Sequence, residues 1–125
     1  NYRKYLAAAT MYYEGDRKAI IAWDLARVEQ MLGYSYVLGY ISTNEYVTNA
    51  VAVGKAIQNE FTSWEDYGNY YIDGYRYWVE IKDYPDYCVD WRNEIFKSFL
   101  EDDRNGLASP YNISFYTELT DELSQ

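Results

Sequence analysis

The sequence predicts an all-α fold: a single irregular bundle of about five helices with an extended C-terminal arm, one domain over residues 1–125. Three observations predict it. Apolar residues recur at spacings of three and four in four separate segments. Two serines are placed to cap helices, at Ser42 and Ser63. The connections are only a few residues long, which favours adjacent packed helices.

The first segment runs from about Tyr2 to Glu14 and holds the run Ala7, Ala8, Ala9, the strongest helix former available. Gly15 stops it, and Asp16 is placed to cap the next helix. The second segment runs from about Arg17 to Leu38. Ile21, Leu25, Val28 and Leu32 form one stripe, and Ile20, Trp23, Arg27 and Met31 form a neighbouring one. Two adjacent stripes predict a wide buried face and a central helix. Gly33 weakens this helix and Gly39 ends it.

The third segment opens on Ser42-Thr43-Asn44-Glu45, a capping box with Ile41 as its hydrophobic staple. It continues to about Asn59, with Tyr46, Ala50, Val53 and Ile57 on one face. The fourth is capped by Ser63, with Asp66 three residues on. Its stripe is Trp64, Tyr67, Tyr71, Gly74 and Trp78, and Gly74 predicts close approach of another backbone. The stripes predict that Trp23, Trp64 and Trp78 are largely buried. The fifth runs from about Asp86 to Asp102, with Cys88, Trp91, Ile95 and Phe99 as its buried face, and Asn105-Gly106 ends it. Leu107 to Gln125 reads as the arm, carrying Ser109-Pro110 and the alternation Tyr111, Ile113, Phe115.

Composition narrows the function. A net charge of −9, from 20 acidic and 11 basic residues, disfavours nucleic acid and anionic membrane surfaces and permits a basic protein partner. No apolar run approaches the roughly 20 residues that span a bilayer. Cys88 is the single cysteine, so no internal disulfide forms. A lone cysteine in an acidic stretch reads as an apolar filler, and the expected location is cytoplasmic. The chain begins at Asn1 rather than at a methionine, so loss of a leader or a preceding domain is an open expectation.

Several chemistries have no residues to run on. The chain has no histidine, which removes a Ser-His-Asp or Cys-His arrangement and the usual zinc sites. No glycine-rich phosphate loop occurs. Asp83, Asp86, Asp90 and Glu94 read as acids stabilising a helix N-terminus, and PDYCVDWRNE lacks the alternating ligands of a calcium loop. No cofactor, metal site or catalytic residue is expected.

The segment AWDLARVEQMLGYSYVLGYISTNEY, Ala22 to Tyr46, precedes FTSWEDYGNYYIDGYRYW, Phe61 to Trp78. This ordered set resembles the bacterial domain-of-unknown-function family 1266. The residues that carry the resemblance are Trp23, Asp24, Arg27, Gly39, Tyr40, Ile41, Ser42, Glu45, Phe61, Ser63, Trp64, Gly74 and Trp78. Ser109-Pro110-Tyr111 is similar to the family's Ser-Pro-aromatic tail. The resemblance covers roughly Tyr5 to Phe115 and implies no activity, cofactor or catalytic residue.

Two groups of residues are candidate sites. Asp24 and Arg27 are i, i+3 neighbours on a helix with a wide apolar face, and Glu45 and Arg76 are placed to join them in a polar network. The readings are a structural ion network, a polar ligand pocket or an acid/base site. The second group follows from 17 tyrosines, a residue favoured at interfaces. Tyr70, Tyr77, Tyr84 and Tyr87 are predicted to form one aromatic patch for a partner, edged by Asp73, Glu80 and Asp83.

The function expected from these features is a non-catalytic protein-interaction module. An acidic immunity or antitoxin-like protein is its concrete form. The alternatives are a small-molecule or glycan-binding domain and a carboxylate-based hydrolase.

Overall fold

A computed structural model describes residues 2–13, 17–101 and 109–122. Gly15, Asp16, Asp102, Asn105, Gly106 and Leu107 lie outside the described residues, as do the ends of the first segment and of the arm.

Five α-helices follow in order: α1 Tyr2–Tyr13, α2 Arg17–Val37, α3 Thr43–Glu60, α4 Trp64–Lys82 and α5 Tyr87–Glu101. A 3₁₀ turn at Pro110–Asn112 opens the described part of the arm. No strand occurs among the described residues. The bundle is therefore all-α, as the periodicity predicts.

Local signals set the helix ends. Ser42 and Glu45 form both halves of the capping box: Glu45 N–H donates to Ser42 Oγ at 3.2 Å, and Ser42 N–H donates to Glu45 Oε2 at 2.8 Å. Ser63 Oγ accepts from Asp66 N–H at 3.0 Å, while Asp66 accepts from Thr62 N–H at 2.9 Å. α2 runs unbroken through Gly33 and stops before Gly39, whose φ of +78° is the left-handed turn. α4 ends on Asp83 at φ 57°, also left-handed, and Tyr84 N–H donates back to Val79 O at 3.0 Å.

The central helix is α4, not α2. It packs against α1, α2 and α5, whereas α2 packs against α3 and α4. One core cluster joins Ile72, Tyr75 and Val79 of α4 to Val89 and Phe96 of α5. A second joins Ala22, Phe61 and Phe115, with Ile57, Trp64 and Tyr67 packed around it. Ala19 and Ala22 are the fully buried residues of α2. They are small because α4 comes close there: a Cβ on Gly74 would lie 2.5 Å from Ala19 O.

Two packing expectations need correction. Ile20, Arg27 and Met31 are exposed, so only Trp23 of the second α2 stripe turns inward. Trp23, Trp64 and Trp78 are mostly buried, Trp23 and Trp78 against the α4–α5 cluster and Trp64 against the Phe61 cluster. On α5, Trp91 and Phe99 are 61% and 41% exposed, and the buried residues are Val89 and Phe96. The face is turned by one residue. Both sets, 88/91/95/99 and 89/92/96, have helical spacing, and the charge of Arg92 argues against burying the latter. The structure accommodates Arg92 by laying its guanidinium 3.9 Å from the centre of the Tyr75 ring.

The described arm packs as an extended segment on α3 and α4. Gln58 Nε2 donates to Phe115 O and Thr117 O at 2.9 and 2.8 Å, and Trp64 Nε1 donates to Ile113 O at 2.7 Å. Phe115 inserts edge-on against Trp64 at 5.2 Å. These bonds satisfy backbone carbonyls that no helix or sheet would satisfy.

Candidate functional site

The structure does not bring Asp24, Arg27, Glu45 and Arg76 together. Glu45 is committed to the start of its own helix, and the Ser42 backbone N–H it accepts holds its pKa below the ordinary value. Arg76 pairs with Asp73 at 3.2 Å on the exposed side of α4. Arg27 lies over the Trp23 ring at 5.9 Å. No ion pair among the described residues joins any two of the four. All four are exposed, so none carries the burial penalty that would have driven them into a network.

The four tyrosines sit in different surroundings. Tyr70 packs on Phe61 at 5.8 Å, with Lys18 Nζ 5.7 Å from its ring centre. A heptad separates it from Tyr77, about 10.5 Å along the axis. At that height α2 and Phe61 cover it. Tyr84 meets Trp78 edge-on at 5.2 Å and is half exposed, and Tyr87 is 69% exposed at the start of α5. No ring pairing joins any two of the four among the described residues. Of their acidic edge, Asp73 pairs with Arg76 and Asp83 with Arg3 at 2.6 Å, while Glu80 is exposed.

What forms instead draws one residue from each group. Asp24 and Tyr77 share a groove of about 300 Å³ with Ile20, Trp23, Gly74 and Trp78. Gly74 brings α2 and α4 close enough for Trp23 and Trp78 to meet at 5.8 Å and floor the groove. Tyr84 extends the aromatic surface through Trp78. Asp24 is exposed at the groove, and no Lys or Arg among the described residues pairs with it. Beyond the groove, the outward side of α2 is an exposed surface. Ile20, Asp24, Arg27, Met31 and Tyr34 fall within roughly 80° of arc over about 21 Å of helix, and all are exposed.

A second cavity, of about 430 Å³, lies beside α5 and the 3₁₀ turn. Tyr67, Gly68 and Tyr71 of α4 form one wall, Trp91, Arg92, Ile95, Phe96 and Phe99 of α5 another, and Tyr111 a third. Arg92 Nη1 donates to Tyr71 Oη at 2.6 Å. The Tyr67 and Tyr111 hydroxyls are pushed above the usual tyrosine range, chiefly by burial and then by neighbouring tyrosines. Both are therefore protonated donors at neutral pH. Sequence reasoning missed this cavity. Its available signal was Arg92 at the 89/92/96 spacing, a lone cation on an apolar helix face.

A third depression, lined by Arg3, Arg76, Glu80, Asp86 and Asp90, is charged. No group of three metal-ligating side chains occurs among the described residues. No helix among them is long and apolar enough to cross a membrane. Cys88 is partly buried against the α4–α5 core.

No curated protein and no solved structure matches the chain. A family model described as "Protein of unknown function (DUF1266)" matches residues 2–115, a span that contains all five helices.

Proposed function

We propose that this chain, which belongs to the DUF1266 family, is a non-catalytic protein-binding module. Its docking face is the outward side of α2 with the Trp23–Asp24–Tyr77–Trp78 groove, and its partner inserts a lysine or arginine from a basic segment.

One observation carries this reading: an exposed carboxylate without a described counter-cation stands at a groove walled by two indoles and a phenol. A lysine or arginine side chain has an apolar stem and a cationic head. The stem packs on Trp23 and Trp78, and the head meets Asp24 and the face of Tyr77. A cation over an aromatic face contributes about 0.5–2 kcal/mol, more as water is excluded. Aromatic anchors of this kind dominate interface energies. The exposed Met31 and Tyr34 extend the apolar area along α2. The net charge of −9 would steer a basic partner towards the face and speed association. An acidic immunity or antitoxin-like protein that masks a basic toxin is the concrete form of this reading.

Affinity capture from the source cells tests it, with wild type and an Asp24→Lys, Tyr77→Ala double variant as baits. Both substitutions are at exposed or half-buried positions, so circular dichroism should report the same fold. The wild type should retain a basic protein that the double variant does not, and salt should release it. Equal retention by both baits would reject this face.

A further inference from the structure

We propose that the cavity beside α5 binds a small aryl monocarboxylate, with Arg92 holding the carboxylate and the tyrosine and phenylalanine rings holding the aryl group. This site is separate from the α2 groove and does not rest on the protein-binding reading.

The cavity is of the size that takes a single small organic molecule, about 430 Å³. Its charge is anomalous for this chain. Acidic residues outnumber basic ones 20 to 11, yet no carboxylate is among the described residues that line it, and Arg92 is its one charged group there. The described ion pairs, Arg3–Asp83 and Arg76–Asp73, are mostly exposed to water. Arg92 is half-buried and has no carboxylate partner among the described residues. A guanidinium taken partly out of water without an anion is held at a cost. Tyr71 and the Tyr75 ring offset part of that cost and fix the guanidinium in place. Tyr71 engages one of its five N–H donors, which leaves a fork suited to a carboxylate.

The tyrosine hydroxyls add to the anion's shell. Tyr67 has only a long 3.5 Å contact with Ala22 O, so its proton is available to a ligand. The remaining walls are rings and aliphatic carbons. Phe96 lies flat on Gly68, where any Cβ would fall within 2.4 Å of three of its ring atoms. Trp91 and Phe99 stand exposed at the rim. Aromatic side chains on several sides favour an aryl body over a flexible chain, because rings stack at little entropic cost. A single cation favours a single negative charge, which disfavours phosphates and dicarboxylates.

The test is titration of the full chain with phenylacetate and indole-3-acetate, each against its neutral amide, with octanoate as the alkyl control. Calorimetry reports binding, with tryptophan fluorescence as a second readout. At least one aryl acid should bind, its amide at least about tenfold more weakly, and octanoate more weakly than the aryl acid. Arg92→Gln should erase the difference between acid and amide. Trp91→Ala, at an exposed position, should fold normally and weaken aryl binding. Equal binding of acid and amide by the wild type would overturn the role of Arg92. Tighter binding of octanoate would overturn the aryl assignment. No binding of any acid up to about 10 mM would overturn the site.

Discussion

Gly74 of α4 lies so close to Ala19 of α2 that a methyl group on it would sit 2.5 Å from the Ala19 carbonyl oxygen and 2.7 Å from Trp23 Cβ. The first contact is with backbone, which cannot turn aside. The two helices would have to separate, and with them the walls of the Trp23–Trp78 groove. Gly74→Ala should therefore destabilise the fold by about 1–3 kcal/mol despite the better helix propensity of alanine. Urea unfolding checks this. An unchanged midpoint would mean that α2 and α4 do not approach this closely.

Gly39 and Gly33 make a paired control. Neither has an atom within 4 Å of where a Cβ would be, so crowding plays no part. Gly39 has φ +78°, and Gly33 lies within α2. Gly39→Ala should cost about 1–2 kcal/mol from backbone strain alone. Gly33→Ala should be neutral or stabilising by up to about 1 kcal/mol. Thermal melts of the two variants should shift in opposite directions, or only the first should fall.

The α3 capping box predicts a pH effect. Glu45 accepts the Ser42 backbone N–H, so its folded pKa lies below the ordinary 4.5. A depressed folded pKa contributes stability that is fully present above the unfolded value and is lost as pH falls through the folded one. The stability difference between wild type and Glu45→Gln should thus be present at pH 7 and shrink below about pH 4.5. Denaturant titrations at several pH values would show it. Ser42→Ala removes the other half of the box and should cost about 0.5–2 kcal/mol at neutral pH.

What was legible in the sequence was local. Ser42, Glu45, Ser63 and Asp66 announce helix starts because the bonds they make lie within four residues. Gly74 announces a close approach because it interrupts a stripe of large aromatics. Side-chain partners across helices were not legible. Asp24 and Tyr77 were assigned to different groups, and only the close crossing of α2 and α4 puts them in one groove. Ala19 and Ala22 are the most buried residues of α2, yet small residues leave little trace in a hydrophobic pattern. On α5 the pattern offered two faces, and Arg92 pointed to the wrong one. A guanidinium can lie flat on an aromatic ring within a core face, and no rule about spacing records that.

The Asp24 groove is the centre of the functional account, and a peptide titration tests it most directly. The ligands are a lysine-rich peptide and a glutamate-rich peptide of equal length, and the readout is indole fluorescence of wild type and Asp24→Asn. The wild type should bind the lysine-rich peptide, more weakly as salt is raised, and should not bind the acidic one. Asp24→Asn should weaken the basic peptide by roughly tenfold while the melting curve stays unchanged, since its side chain is exposed and unpaired among the described residues. Equal affinity of wild type and Asp24→Asn for the basic peptide would contradict the account.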